Sequence, residues 1–178
     1  MEDLIRILIF SDNHGDKDNI SRIIDKNQPL DRIISLGDSE MREKELTDLG
    51  IFGVKGNYPF EPKFPYELDY TFFSWRILFV HGHLYRVKSG LTKLLQKAYY
   101  EKFDLVCFGH THRTFLEDIE DIIMLNPGSL SSWRSNENPT YAIVELSEEK
   151  CVITIKNVFE NVIKQYEKVK GNDIRKFR

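Results

Sequence analysis

Three mostly apolar runs early in the chain, each closed at once by a polar cluster, constrain the fold more than any other feature. Residues 4 to 10 are rich in β-branched side chains and lead directly into the polar residues 11 to 16. Similar runs at 32 to 36 and 51 to 55 end in Gly-Asp and Gly-Asn pairs, and helical patterns separate the runs. This alternation predicts a βαβαβ unit with a largely parallel sheet, whose functional residues gather at the carboxyl ends of the strands.

The second half of the chain is dominated by strand patterns. Residues 66 to 72, 76 to 80 and 105 to 108 have strand character, and hairpins are predicted over 115 to 125 and 141 to 155. Because few helical patterns lie between them, these strands predict a second sheet that packs on the first.

Length and periodicity indicate one domain with a helical end. A chain of 178 residues matches one ordinary domain, so we predict a single domain over 1 to 178 with its core at about 4 to 157. Near the C-terminus, apolar side chains recur at helical spacing, namely Phe159, Val162, Ile163, Tyr166 and Val169. This spacing predicts a helical extension over 158 to 178.

Charge and cysteine usage exclude several classes of protein. The 25 basic and 28 acidic side chains give a net charge of −3 with no long block of one sign, so no nucleic-acid footprint is expected. The acidic N-terminal residues and Arg6, which interrupts the only early apolar run, argue against a signal peptide or a membrane span. We therefore expect a cytoplasmic protein. A homo-oligomer is left open. Cys107 and Cys151 lie in apolar runs and are predicted to be buried free thiols.

All five histidines fall in short polar stretches that directly follow predicted strands, and most of these stretches carry a second donor. Imidazole and carboxylate together suit Mn, Fe, Zn or Ni, and alternate residues of an extended loop aim both donors into one site. The candidate donors are Asp12, His14, Asp38, Asn57, His81, His110 and His112. They are too many for one tetrahedral ion and suit two ions about 3.5–4 Å apart.

Five short motifs in order carry a family resemblance. They are Asp12-Asn13-His14, Gly37-Asp38, Gly56-Asn57, His81-Gly82-His83 and Gly109-His110-Thr111-His112. Together they resemble the motifs of the calcineurin-like metallophosphoesterases over roughly residues 4 to 157. The chain length and Asn126-Pro127-Gly128-Ser129 resemble, more narrowly, the YfcE-type family of small prokaryotic phosphodiesterases. This resemblance implies an α/β (α+β) fold in which two mixed β-sheets pack as a sandwich flanked by helices.

The same resemblance implies a two-metal phosphodiesterase acting on a small phosphodiester. It assigns one ion to Asp12, His14 and His112, and the other to Asn57, His81 and His110, with Asp38 bridging. It makes Asp38, Asn57 and His83 the catalytic residues, with His83 either supporting the metal ligands from behind or near the substrate. Two divalent ions, Mn first and Fe, Ni or Zn as alternatives, would lower the pKa of a shared water to about 7 and favour in-line attack by a bridging hydroxide.

Tyr58-Pro59 departs from the pattern of this family. After the Asn of the third motif, many members carry a His and the small prokaryotic family usually has Cys-Asp. The general acid is then Tyr58 or His83, or none is needed for an activated leaving group. The small subunit of the retromer coat also has an aromatic residue at this position and works as a scaffold, so a metal-binding scaffold without turnover is the alternative function.

Three further side chains are candidate substrate contacts, namely Tyr58, Arg113 and Arg134. Arginines bind phosphate as bidentate donors, although an exposed arginine is more often only solvated. The aromatic and proline residues of 58 to 65 indicate a stacking platform for a ring or a rigid surface loop. A structural zinc site is disfavoured, because such sites prefer cysteine and neither cysteine lies in a motif.

Overall fold

The computed structural model describes residues 3–60, 63–135 and 137–171, which form strands in two sheets with three α-helices. The elements in chain order are β1 (Ile5–Phe10), α1 (Lys17–Asn27), β2 (Arg32–Ser35), α2 (Glu43–Thr47), β3 (Ile51–Gly53), β4 (Glu67–Phe72), β5 (Trp75–Val80), α3 (Thr92–Glu101), β6 (Leu105–Cys107), β7 (Thr114–Ile119), β8 (Ile122–Pro127), β9 (Thr140–Leu146), β10 (Lys150–Asn157) and β11 (Val162–Val169). Two short 3₁₀ turns, His83–Tyr85 and Val87–Ser89, connect β5 to α3. Within these described ranges, no helix is both long and apolar enough to span a bilayer.

Both sheets contain parallel and antiparallel neighbours. The first has the strand order β11-β10-β9-β1-β2-β3, and the second has β4-β5-β6-β8-β7. Strands β1, β2 and β3 run parallel, as do β5, β6 and β8. The antiparallel strands are β9, β10 and β11 in the first sheet and β4 and β7 in the second. The predicted fold of two mixed sheets flanked by helices is therefore confirmed, and each sheet contains three parallel strands whose carboxyl ends lie on the same side of the sheet.

Alternation along the central strands explains the layering. In β1, Ile7 and Ile9 face the second sheet and pack with residues such as Phe79 and Leu125. The neighbours Leu8 and Phe10 face the opposite way and pack under α1. A third cluster lies between α3 and the second sheet. Successive side chains of a strand point to opposite faces of the sheet, so the apolar central strands are buried on both faces. This packing fixes the positions of the polar residues that follow each strand.

Helix α1 begins immediately after the first polar cluster. Its N-cap is Asp16, whose Oδ1 accepts a hydrogen bond from the backbone N–H of Asn19 at 3.1 Å. The Oδ2 of Asp16 also accepts from the backbone of Ser132. Because Asp16 performs the capping, the buried carboxylate of Asp12 is not needed for it.

The C-terminal segment contains a strand, and the helical extension predicted over 158 to 178 is wrong for the described residues 158 to 171. Strand β11 pairs antiparallel with β10, and the side chains of Lys164, Tyr166 and Lys168 alternate towards β7 of the other sheet. The apolar spacing fits a helix, but the open edge of β10 offers a full ladder of backbone hydrogen bonds to β-branched residues. The first sheet consequently extends beyond residue 157, and residues 172 to 178 lie outside the described part.

Cys107 and Cys151 are buried free thiols, as predicted. Burial raises the pKa of Cys151 to about 12, so the side chain stays a neutral thiol. Both cysteines therefore pack as small apolar groups in the core between the sheets.

Candidate metal centre

The predicted ligands converge because their strands end at a common edge. Asp12 and His14 follow β1, Asp38 follows β2, Asn57 follows β3, His81 follows β5, and His110 and His112 follow β6. Both sheets thus contribute loops to one site. Within it, the side chains of the described residues form two groups of potential ligands, Asp12 with His14 and His112, and Asp38 with His81 and His110.

The first group is centred on Oδ1 of Asp12. This atom lies 3.1 Å from Nε2 of His112 and 3.9 Å from Nε2 of His14, and the two Nε2 atoms are 3.3 Å apart. The other oxygen, Oδ2, accepts hydrogen bonds from the Ser11 hydroxyl and from the backbone N–H of His110. Burial acts to raise the pKa of Asp12, but the hydrogen bond with His112 and the charges of the neighbouring histidines outweigh it and lower the pKa. Asp12 is therefore a buried carboxylate with one oxygen directed at two imidazoles.

Glu40 orients the His14 ring. Its Oε1 lies 2.7 Å from Nδ1 of His14 and 3.6 Å from Nη2 of Arg134. Since a carboxylate accepts, Nδ1 carries the proton and Nε2 presents its lone pair to the centre. Sequence reasoning missed Glu40; its position two residues after the Gly37-Asp38 motif was the available signal.

The second group surrounds Nε2 of His81. Its Nδ1 donates to the backbone oxygen of Leu36 at 2.8 Å. In the neutral ring Nε2 is therefore unprotonated, and it lies 3.0 Å from Oδ1 of Asn57, 3.2 Å from Nδ1 of His110 and 3.5 Å from Oδ2 of Asp38. The two groups adjoin, because Nε2 of His81 is only 3.9 Å from Oδ1 of Asp12.

Asp38 is held as an anion by its own loop and its neighbours. Its Oδ1 accepts backbone N–H groups from Asn57 at 2.9 Å and Tyr58 at 3.0 Å. Burial acts to raise its pKa, but the hydrogen bond and charge of His81 and these two N–H donors together hold the pKa far below its usual range. The structure groups Asp38 with His81 and His110, and its bridging role stays a prediction.

The donor set fits divalent cations. The potential ligand atoms are carboxylate oxygens, one amide oxygen and imidazole nitrogens. Facing atoms are 3.0 to 3.9 Å apart. Burial acts to lower the pKa of His81, yet the neighbouring carboxylates raise it, and the hydrogen bond with Asp12 raises the pKa of His112. Burial and the charge of His81 lower the pKa of His110 to about 4, which leaves that ring neutral. The cluster favours positive charge at its centre, and imidazole with carboxylate is a donor set of first-row divalent metals.

Left-handed backbone is concentrated at this site. Five of the predicted ligands have φ between 44° and 68°, namely Asp12, His14, Asp38, His110 and His112. This conformation costs an L-residue roughly 1–2 kcal/mol, so packing elsewhere must hold the loops in place. It turns each side chain inward at the strand end.

The glycines of the motifs are required by close approach. A Cβ on Gly56 would lie 2.0 Å from Oδ1 and 2.6 Å from the backbone nitrogen of Asp38. A Cβ on Gly109 would lie 2.0 Å from the Ser11 hydroxyl oxygen. These glycines allow loops from different strands, within one sheet for Gly56 and between the two sheets for Gly109, to touch, which brings the ligands within reach of one another.

The segment Asn126-Pro127-Gly128-Ser129 supports the loops from behind. The Nδ2 of Asn126 donates to the backbone oxygen of Gly109 and to the Thr111 hydroxyl, both at 3.0 Å. The Ser129 hydroxyl donates to the backbone oxygen of Asp12 at 2.8 Å. Both contacts fix backbone next to predicted ligands.

A cavity of about 550 Å³ opens over both groups of ligands. Tyr58 and Arg134 line it, at the positions expected of substrate contacts, and Lys88 lines it as well. Sequence reasoning missed Lys88, which lies on a 3₁₀ turn rather than in a motif.

Two of the predicted site residues that are not ligands, Arg113 and His83, do not line this cavity. Arg113 lines a neighbouring cavity instead, because alternate residues of the loop after β6 point to opposite sides. His83 is half-buried beside the second group, with its ring centroid 5.4 Å from that of His81 and 6.1 Å from that of His110, and it is not among the residues lining the cavity.

Comparisons with known proteins cover the same region. Residues 5–149 match the model of the calcineurin-like phosphoesterase superfamily domain, a range that includes every predicted ligand. The probable metallophosphoesterase YsnB of Bacillus subtilis is 33% identical over 150 residues, which cover 84% of this chain and 89% of YsnB.

Two solved structures share the architecture. A Streptococcus pneumoniae protein described as a predicted phosphoesterase superposes with a TM-score of 0.81 and 28% identity, covering 94% of this chain and 100% of that one. Vacuolar protein sorting 29 from Cryptosporidium parvum has a TM-score of 0.79 at 18% identity, covering 94% and 99%. The second likeness concerns the fold alone.

Proposed function

The chain belongs to the calcineurin-like phosphoesterase superfamily, and on that basis we propose that it is a two-metal phosphodiesterase. The observation that carries this proposal is the adjacency of two ligand groups, in which Nε2 of His81 and Oδ1 of Asp12 are 3.9 Å apart. Two divalent cations, with Mn²⁺ first and Fe, Ni or Zn as alternatives, would supply positive charge for the phosphoryl oxygens and a water of lowered pKa for in-line attack.

The chain contributes an oriented set of ligands to this chemistry. Asp12, His14 and His112 would hold one cation, and Asn57, His81 and His110 the other, with Asp38 between them. The partners of the outer ring nitrogens are already in place, Glu40 for His14 and the Leu36 carbonyl for His81. Such partners fix the tautomer, so each ring presents a lone pair before the substrate arrives.

The cavity suits a phosphodiester of modest size. Lys88 and Arg134 add positive charge to its wall, and Arg134 is held near Glu40. A volume of about 550 Å³ leaves room for a substituent on each side of a phosphate. The Tyr58 ring, 5.9 Å from that of Phe60, offers a surface for one substituent. Tyr58 and His83 remain the candidates for a general acid, which activated leaving groups do not need.

Hydrolysis of a matched pair of substrates tests the proposal. Chelator-stripped protein is titrated with Mn²⁺ in the presence of bis-p-nitrophenyl phosphate or the monoester p-nitrophenyl phosphate. We expect metal-dependent cleavage with the diester preferred, and a loss of about 10³-fold or more in Asp38→Asn, because the charge next to His81 is removed. Asp69→Asn is the control, since Asp69 is an exposed aspartate that pairs with Arg76.

A metal-binding scaffold without turnover is the second candidate. The observation in its favour is Tyr58, which stands directly after Asn57 where many family members carry a His. If calorimetry shows Mn²⁺ binding and neither ester is cleaved, the phosphodiesterase proposal is wrong and the scaffold function is supported.

A further inference from the structure

A second cavity of about 590 Å³ adjoins the metal centre. The loop after β6 forms the wall between the two cavities: His110 and His112 line the metal cavity, whereas Thr111 and Arg113 line the second one. The second cavity therefore lies beside the place where the phosphate of a substrate would lie, and Lys88 lines both cavities.

The lining of the second cavity combines an aromatic floor with polar and cationic groups. Phe108 is buried and Phe115 half-buried, and their ring centroids are 6.2 Å apart at a tilt of 54°. Leu91 adds to the apolar surface. The exposed side chains of Lys88 and Arg113 supply positive charge at the same cavity.

We propose that this second cavity binds the nucleoside part of a phosphodiester whose phosphate lies at the metal centre. The inference rests on the proposed function and specifies its substrate class as nucleotide diesters. A base gains about 1–3 kcal/mol from stacking on an aromatic side chain, and the half-buried ring of Phe115, backed by the buried Phe108, lines this cavity. Lys88 and Arg113 match the phosphate and sugar oxygens that flank a nucleoside.

The lining disfavours other ester substituents. An acyl chain would leave the two cations of the lining unpaired, and a small headgroup would not fill about 590 Å³. The net charge of −3 and the presence of only two cations at this cavity argue for a short nucleotide rather than a long nucleic acid.

Two substrates with the same leaving group test the inference. Thymidine 5′-(p-nitrophenyl phosphate) carries a nucleoside, and methyl p-nitrophenyl phosphate carries a methyl group in its place. With Mn²⁺-loaded protein we expect kcat/KM to be at least about tenfold higher for the thymidine ester. Equal values of kcat/KM for the two esters would overturn the proposed nucleoside site.

A cavity-filling variant locates the effect. Leu91→Trp inserts a ring into the second cavity and is expected to reduce the ratio of the two kcat/KM values to near one. Leu95→Trp, one turn further along α3, is the matched control, because Leu95 lines a different cavity beside Tyr99. An unchanged ratio in folded Leu91→Trp, or an equal loss in Leu95→Trp, would contradict the inference.

A binding measurement separates this inference from the proposed function. If neither ester is cleaved, the phosphodiesterase proposal fails, and calorimetry with thymidine 5′-monophosphate decides on the nucleoside site. Binding that Leu91→Trp weakens at least about tenfold while Leu95→Trp does not supports the site. Absence of binding, or binding that both variants leave equal, overturns it.

Discussion

Glu40 accepts a hydrogen bond from Nδ1 of His14 at 2.7 Å, and this contact determines which nitrogen of His14 faces the metal centre. We expect Glu40→Gln to weaken divalent metal binding about 10–100-fold, because a neutral amide is a poorer acceptor and also a possible donor to Nδ1. Calorimetric titration with Mn²⁺ measures the effect. Glu117→Gln, at an exposed position of β7, is the control, and equal affinities in the two variants would show that Glu40 does not orient His14.

Removal of metal is expected to lower thermal stability. A ligand at 100 times its Kd stabilises the folded state by about 2.7 kcal/mol, which corresponds to roughly 5–10 °C in Tm for a chain of this size. Calorimetric melting of chelated and Mn²⁺-loaded protein gives the shift. It should shrink at acidic pH, because the raised pKa values of His81 and His112 keep both rings protonated there and metal must displace the protons. An identical Tm with and without metal would contradict a ligand site.

Gly56→Ala is expected to damage the second ligand group. The new Cβ would overlap Oδ1 and the backbone nitrogen of Asp38, and that loop has little room to retreat. We expect a loss of about 1–3 kcal/mol in the free energy of unfolding and a fall from two bound Mn²⁺ ions to one. Urea unfolding and metal analysis measure these quantities. Gly171→Ala, where a Cβ meets open space, should change neither, and a stable Gly56→Ala variant with two ions would refute the steric argument.

Asp118 joins edge strands of the two sheets, and its ionisation should make stability depend on pH. Its Oδ2 accepts from the Tyr166 hydroxyl and from Nζ of Lys168, both at 2.8 Å. Burial acts to raise the pKa of Asp118, but the hydrogen bonds and charge of these two partners lower it below 3.8. The contribution to stability is therefore present above pH 3.8 and is lost as the pH falls through the lowered pKa of the folded state.

The Asp118→Asn variant tests this pH dependence. At pH 7 it should be less stable by about 0.5–1 kcal/mol, a value reduced for solvent screening at a partly exposed site. The difference from the original protein should disappear in strong acid, as urea unfolding at a series of pH values would show. Asp121→Asn is the control, because Asp121 is fully exposed and 3.6 Å from Lys168. A deficit that persists at the lowest pH would exclude ionisation as the cause.

The two-sheet fold and the ligand positions were accessible from sequence because both follow from local patterns. An apolar run that stops at a polar cluster marks the end of a buried strand, and the ends of parallel strands meet. Residues such as His81 and His110 could therefore be placed in one site without knowledge of their contacts.

The incorrect and missing predictions depend on contacts between distant segments. Glu40 and Lys88 reach the cavity from a loop and a 3₁₀ turn that carry no periodic signal. Arg113 was predicted as a substrate contact, and its side chain lines the neighbouring cavity rather than the one over the metal ligands. The apolar spacing near Tyr166 fits a helix, and only the free edge of β10 favours a strand there.

The left-handed backbone at five predicted ligands lowers the stability of the folded state in exchange for the positions of the ligand side chains. Glycine adopts such φ values without penalty and asparagine tolerates them better than most residues, so replacing His14 or His110 with either would relax the loop. A lineage released from the need for metal would gain stability by such replacements. Aspartate and histidine at these positions therefore cost folding stability that glycine or asparagine would not, and this cost follows from placing ligand side chains at the strand ends.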